Sequence, residues 1–168
     1  ITKQEVRALT LAALSPRRGE LLWDIGAGSG SVAIAWMLAH PSLKAVAVET
    51  RADRAERIGR NAQNLGVPGL AVIHGEAPAA LAGVPAPDAV FLGGGVAASV
   101  DTSIEALRPG GRLVANAVTI ETETALAALH ARLGGTLTRI SLSRAEPVGT
   151  MTGWRPALPI TQWAWTKP

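Results

Sequence analysis

Three glycines at alternate positions, in Asp24-Ile25-Gly26-Ala27-Gly28-Ser29-Gly30-Ser31, restrict the fold of this chain more than any other feature. They follow the apolar run Leu21 to Ile25 and precede the apolar stretch Val32 to Ala39, so they join a buried strand to a helix. Glycine there lets the backbone turn sharply and approach a ligand that a side chain would exclude. The spacing G-x-G-x-G lacks the extra residue of the dinucleotide loop G-x-G-x-x-G, which seats a pyrophosphate on a helix N-terminus.

The same alternation runs along most of the chain. Thr2-Lys3-Gln4-Glu5 has the capping-box pattern and opens a helix to about Leu14. Ala45 to Glu49, Leu70 to His74, Ala89 to Leu92 and Arg112 to Ala117 read as strands. Between them lie a helix over 52–65, with Ile58 and Leu65 on one face and Gly66 as its stop, a short helix near 78–81, and a helix over about 100–107. Leu126, Leu129 and Leu133 mark one more helical stripe, stopped by Gly134. Thr136 to Leu142 and Ile160 to Trp165 read as strands with no helix between them, joined by a loop over 144–158, and therefore as antiparallel neighbours. The expectation is one α/β domain over 1–168: a Rossmann-like, mostly parallel seven-stranded sheet ending in an antiparallel pair, the layout of class I methyltransferases.

Composition narrows the chemistry. Without cysteine there is no disulfide, thiolate metal site or thiol nucleophile, and His40, His74 and His130 are too far apart in sequence to suggest a metal site. The net charge is only +3, and the arginines at 51, 54, 57 and 60 are interrupted by Asp53 and Glu56. That pattern reads as a solvated helix face rather than a nucleic-acid track. No apolar run is long enough to span a bilayer and no leader is visible, so the reading is a cytoplasmic protein without membrane or nucleic-acid partners.

The loop spacing and its context point to S-adenosylmethionine. Gly26, Ala27, Gly28, Ser29 and Gly30 would wrap its amino-acid portion, and Asp24 would meet the ammonium directly or through water. Glu49, at the end of the next strand, suits the two ribose hydroxyls. Gly75-Glu76-Ala77 follows the third strand where this fold cradles adenine, through the Ala77 backbone or the Glu76 carboxylate. Gly93-Gly94-Gly95 after the fourth strand reads either as room for a bulky substrate close to the methyl donor, with Gly94 as the contact, or as a flexible turn. The Asn/Asp-Pro-Pro-aromatic motif of amino-methyltransferases is absent there, and no cysteine serves cytosine carbon-5 chemistry.

These motifs, together with Thr2-Lys3-Gln4-Glu5-Val6-Arg7, Asn116 to Thr124 and Gly149-Thr150-Met151, give a chain that resembles the decarboxylating precorrin C(15)-methyltransferases over nearly its whole length. In some organisms that family stands alone, and in others it forms the C-terminal domain of precorrin-6Y C(5,15)-methyltransferase. The resemblance implies methylation of a tetrapyrrole carbon with loss of carbon dioxide from the ring C acetate, in cobalamin biosynthesis. It also implies Thr2 as a cofactor contact, a homotetramer and an N-terminal methyltransferase domain, to which the start at Ile1 is suited. Two departures are Glu76, where Asp is commoner, and Trp154-Arg155-Pro156 in place of an Asn-Pro.

Substrate carboxylates call for Arg or backbone N–H donors. Arg144 and Arg155 flank the late loop and read either as such donors or as solvated loop charges, and Asn116 lies where this fold places substrate contacts. Glu121 reads as a helix N-terminal acid, and Trp163 and Trp165 as core or subunit contacts on one sheet face. No general acid or base is legible. Two alternatives stay open: a cofactor-binding domain without catalysis, and a methyltransferase for RNA or protein.

Overall fold

The computed structural model describes residues 4–168. Five helices and nine strands alternate as α1 Gln4–Leu14, β1 Leu21–Ile25, α2 Ser31–Ala39, β2 Lys44–Glu49, α3 Ala52–Asn64, β3 Ala71–His74, a 3-10 turn at Ala79–Leu81, β4 Ala89–Leu92, α4 Val96–Ala106, β5 Arg112–Ala117, α5 Ile120–Leu133, β6 Thr136–Ile140, β7 Ser143–Val148, β8 Met151–Pro156 and β9 Ile160–Thr166. Seven strands form one sheet in the order β3-β2-β1-β4-β5-β9-β6. The first five are parallel, and β9 inserts antiparallel to both β5 and β6. The expected sheet, with its closing antiparallel pair, is the observed one.

Period-2 alternation along the strands sends neighbouring residues to opposite faces and builds two cores. Trp23, Val46, Val90 and Leu113 pack on one face with Val100 of α4 and Leu126 of α5. Leu22, Ala45 and Phe91 pack on the other with Leu14, Trp36 and Ile58 from α1, α2 and α3. Strand order reverses between β1 and β4, so the crevice at the C-terminal ends of these strands is the natural ligand site of such a sheet. No helix among the described residues is long and apolar enough to cross a membrane.

Three local expectations are corrected. Helix α4 begins a turn earlier than the pattern suggested, at Val96, which is buried beside Ser99, Val100 and Ser103. Leu65 lies just past the end of α3 and is exposed, while Ile58 and Ala62 carry its buried face. The segment 144–158 is not a loop but mostly the hairpin β7–β8, turned at Gly149-Thr150. Pro147 and Pro156 disguised it: proline argues against a strand, yet a two-stranded hairpin consists only of edges, where proline is tolerated. Trp163 and Trp165 do share a face, stacked with ring centroids 6.1 Å apart. The buried Trp163 indole donates to the Gly134 carbonyl at 2.9 Å, as a core residue does.

Candidate active site

Three adjoining cavities open at the C-terminal edge of the sheet, and all three have Gly93 in their walls. The first, about 250 Å³, is bounded by Glu49, Thr50, Glu76, Ala77 and Gly94. The second, about 280 Å³, lies over Gly26, Ala27, Gly28 and Ser29. Arg54 stands in the walls of both. The third, about 360 Å³, is apolar and runs from Phe91 and Val6 to Leu142 and Leu158, with Asn116 as the only polar side chain in its wall among the described residues.

Backbone geometry shapes the floor. Gly26 has φ of +70°, and a β-carbon on it would stand 2.8 Å from the Gly94 nitrogen, so the two glycine stretches meet main chain to main chain. Gly30 has φ of +75° and precedes α2; a β-carbon there would strike Ile58 Cγ2 at 2.7 Å, so its absence lets α3 pack beneath the loop. Gly30 lines none of the cavities, and its visible task is this packing.

Glu49 is nearly buried at the end of β2. Its Oε2 accepts the Gly28 N–H at 2.9 Å and its Oε1 the Arg51 N–H at 3.0 Å. Oε1 also accepts the Thr50 hydroxyl through a long bond of 3.4 Å, so Oε2 retains a lone pair and Oε1 takes a second hydroxyl by displacing Thr50, which lets the fixed carboxylate hold a vicinal diol.

Asp24 is set differently. It is buried, its Oδ2 accepts the Ala33 N–H near the start of α2 at 2.9 Å, and its Oδ1 has no partner. Burial pushes its pKa up to about 7; the Ala33 bond lowers it and the Glu49 charge raises it further. Asp24 lines none of the cavities and supports the glycine loop from below. Thr2 lies outside the described residues.

On the substrate side, Asn116 Nδ2 donates to Thr10 Oγ1 at 3.1 Å. Gln162 Nε2 donates to Asn116 Oδ1 at 2.9 Å and to Thr10 Oγ1 at 3.2 Å. Arg144 and Arg155 face each other across the hairpin and are already engaged. Arg144 pairs with Glu5 at 2.6 Å and Arg155 with Glu146 at 2.9 Å. Neither lines the apolar cavity; both border a separate one of about 80 Å³. Glu121 is in the first turn of α5, as expected of a helix N-terminal acid.

Thr10 and Gln162 were invisible to sequence reasoning because they reach Asn116 across 106 and 46 residues. Arg54 had a signal, the arginine run of α3. Arg51 and Arg57 pair with Asp53 and Arg60 with Glu56, as a solvated face does, whereas Arg54 stands in the cavity walls.

The model for a precorrin methyltransferase domain matches residues 1–167. The chain belongs to that family. Among precorrin methyltransferases, the precorrin-6Y C(5,15)-methyltransferase (decarboxylating) of Sinorhizobium sp is 63% identical over 99% of the chain. The chain spans only 41% of the length of that relative. The crystal structure of the C-terminal domain of precorrin-6Y C5,15-methyltransferase from Rhodobacter capsulatus is 54% identical, with TM-score 0.93 over 99% of this chain and 91% of that one. A shorter relative, the cobalt-precorrin-6B C(15)-methyltransferase (decarboxylating) of Salmonella typhimurium, is 34% identical over 95% of the chain and 85% of its own length.

Proposed function

We propose that this domain methylates carbon 15 of a precorrin with S-adenosylmethionine as donor and removes carbon dioxide from the ring C acetate. The observation that carries the reading is the meeting, at Gly93, of a polar two-chambered crevice with an apolar cavity. The polar chambers suit an amino acid joined to a nucleoside, and the apolar one suits part of a conjugated ring. The Glu49 carboxylate and the glycine cradle fit S-adenosylmethionine. When bound, that cofactor supplies an electrophilic methyl group.

Within this reading Gly26, Ala27, Gly28 and Ser29 hold the methionine portion, Glu49 the ribose, and Glu76 and Ala77 the adenine edge. Gly30 and Asp24 hold the loop in shape, and Thr2 is a further contact. Gly94 keeps the path to the methyl group open. The tetrapyrrole carbon is itself the nucleophile, so the protein contributes alignment, an effect worth up to roughly 7–11 kcal/mol. The Salmonella relative, nearly all of whose length the chain covers, supports a domain that carries this chemistry alone.

An N-terminal methyltransferase domain, supported by the greater length and the name of the Sinorhizobium relative, and a cytoplasmic location belong to the same proposal. So does assembly into a homotetramer. Val148, Met151 and Trp154 are exposed on the β7–β8 hairpin, an apolar surface suited to a second copy. Light scattering of the protein and of Trp154→Glu tests the assembly; a monomer in the parent rejects it.

The chemistry is tested by mass spectrometry of a reduced precorrin-6 after incubation with this chain and S-adenosylmethionine. A product that gains one methyl and loses one carbon dioxide supports the reading. An unchanged tetrapyrrole, with cofactor binding verified separately, rejects it for this domain.

A further inference from the structure

Among the described residues the apolar cavity holds one polar side chain, and that side chain is fixed in orientation. Asn116 Oδ1 takes the Gln162 amide hydrogen, so the Nδ2 end faces Thr10. Both partners are buried, Thr10 completely and Gln162 at 6% exposure. One N–H of Asn116 Nδ2 is used on Thr10, and the other remains to be donated. Among the described residues no cation stands in the wall, and the two nearby arginines of the hairpin are bound to Glu5 and Glu146.

We infer that this cavity is the decarboxylation subsite, with Asn116 as the catalytic contact to the departing carboxylate and Thr10 and Gln162 as its positioning residues. The inference rests on the proposed precorrin chemistry and adds where and how carbon dioxide leaves. The bond between the acetate methylene and its carboxyl carbon breaks, the electron pair passes into the conjugated ring, and carbon dioxide departs. A proton from water then completes the new methyl group.

A carboxylate is most stable when solvated or paired with a cation, and its charge disperses as the bond breaks. An apolar wall with no cation among the described residues therefore raises the starting state more than the transition state. One neutral amide donor orients the group without the full stabilisation that a guanidinium gives. An arginine in this position would bind substrate well and release carbon dioxide slowly. The binding of Arg144 and Arg155 elsewhere is thus part of how the cavity works.

The test follows methyl transfer and carbon dioxide release separately, using labelled S-adenosylmethionine and a carboxyl-labelled precorrin. If the parent protein does neither, the functional reading and this inference fall together. If it does both, Asn116→Leu is expected to slow carbon dioxide release about 10- to 100-fold while methyl transfer changes far less. Thr10→Val and Gln162→Met are expected to lower kcat for carbon dioxide release with little change in KM, and Thr10→Ser to restore it.

Leu158 is on the rim and largely exposed, so Leu158→Arg threatens folding little. That variant is expected to accumulate methylated product still carrying its carboxylate, with a lower KM. Parallel loss of both reactions in folded Asn116→Leu, or undiminished carbon dioxide release in Leu158→Arg, overturns the assignment while leaving the functional reading in place.

Discussion

Gly26 and Gly94 approach so closely that a β-carbon on Gly26 would lie 2.8 Å from the Gly94 nitrogen. The loop after β1 and the loop after β4 therefore support each other through backbone alone, and the cofactor crevice runs over that junction. Gly26→Ala must push the two apart and must also adopt φ near +70°, which costs about 1 kcal/mol or more for a residue with a side chain. The expected result is a folded protein whose S-adenosylmethionine affinity falls at least tenfold by calorimetry. Unchanged affinity would remove the junction from the binding site.

Asp24 makes folding stability depend on pH. Burial raises its pKa from 3.8 to about 7, so the folded state retains a proton that the unfolded chain gives up near pH 4. The residue's contribution is most favourable below pH 3.8, declines as pH rises through the interval to 7, and is level above it. The step corresponds to an upper bound of roughly 4 kcal/mol, taking ~1.36 kcal/mol per pH unit. Asp24→Asn has no such slope. Urea unfolding at pH 4, 6 and 8 is expected to give a stability difference, variant minus parent, that becomes more positive with pH. Parallel curves would mean that Asp24 titrates like an exposed carboxylate.

Glu49 offers a separate test of the ribose contact. Glu49→Gln keeps the shape but loses the charge that attracts two hydroxyls, and one end of the amide becomes a donor facing a backbone N–H. Cofactor binding is expected to weaken by about 10- to 100-fold, as loss of a charged hydrogen bond does. A ligand lacking the ribose hydroxyls should bind parent and variant alike. If the variant penalises both ligands equally, Glu49 acts on the loop through Gly28 and not on the ribose.

The sheet was legible because its strands are short apolar runs separated by glycine and helical stripes, and each signal is local. The glycine loop and Glu49 were legible for the same reason: G-x-G-x-G and a strand-end acid are contiguous patterns. What stayed hidden is non-local or contradicts a propensity. Asn116 stands out by its place at a strand end, yet Thr10 comes from the first helix and Gln162 from the last strand. The hairpin was read as a loop because Pro147, Gly153 and Pro156 weaken every strand signal in it. In the sequence Arg144 and Arg155 are candidates for substrate carboxylates, and only the fold shows that Glu5 and Glu146 hold them.

At the opposite end of the sheet, Arg112 ties β5 to the C-terminal end of α1 and to the segment that follows it. Its Nε donates to the Leu14 carbonyl at 2.9 Å and one terminal nitrogen to the Ser15 carbonyl at 3.0 Å, while both terminal nitrogens bind Glu20 at 2.6 and 2.7 Å. The pair is nearly buried, with side-chain exposures of 7% for Arg112 and 14% for Glu20. Arg112→Met leaves a buried carboxylate and two carbonyls without their donor, and is expected to cost about 3–5 kcal/mol. The double change Arg112→Met with Glu20→Met removes the stranded charge and should cost less than the single one. Arg112→Lys lacks the planar fork and should fall between the parent and Arg112→Met. Because β5 enters the sheet here and reaches the active site only at Asn116, kcat per folded molecule should stay near the parent value in all three. Denaturant unfolding beside single-turnover methyl transfer checks both halves of the expectation, and loss of activity in a fully folded Arg112→Met would refute the separation of the two ends.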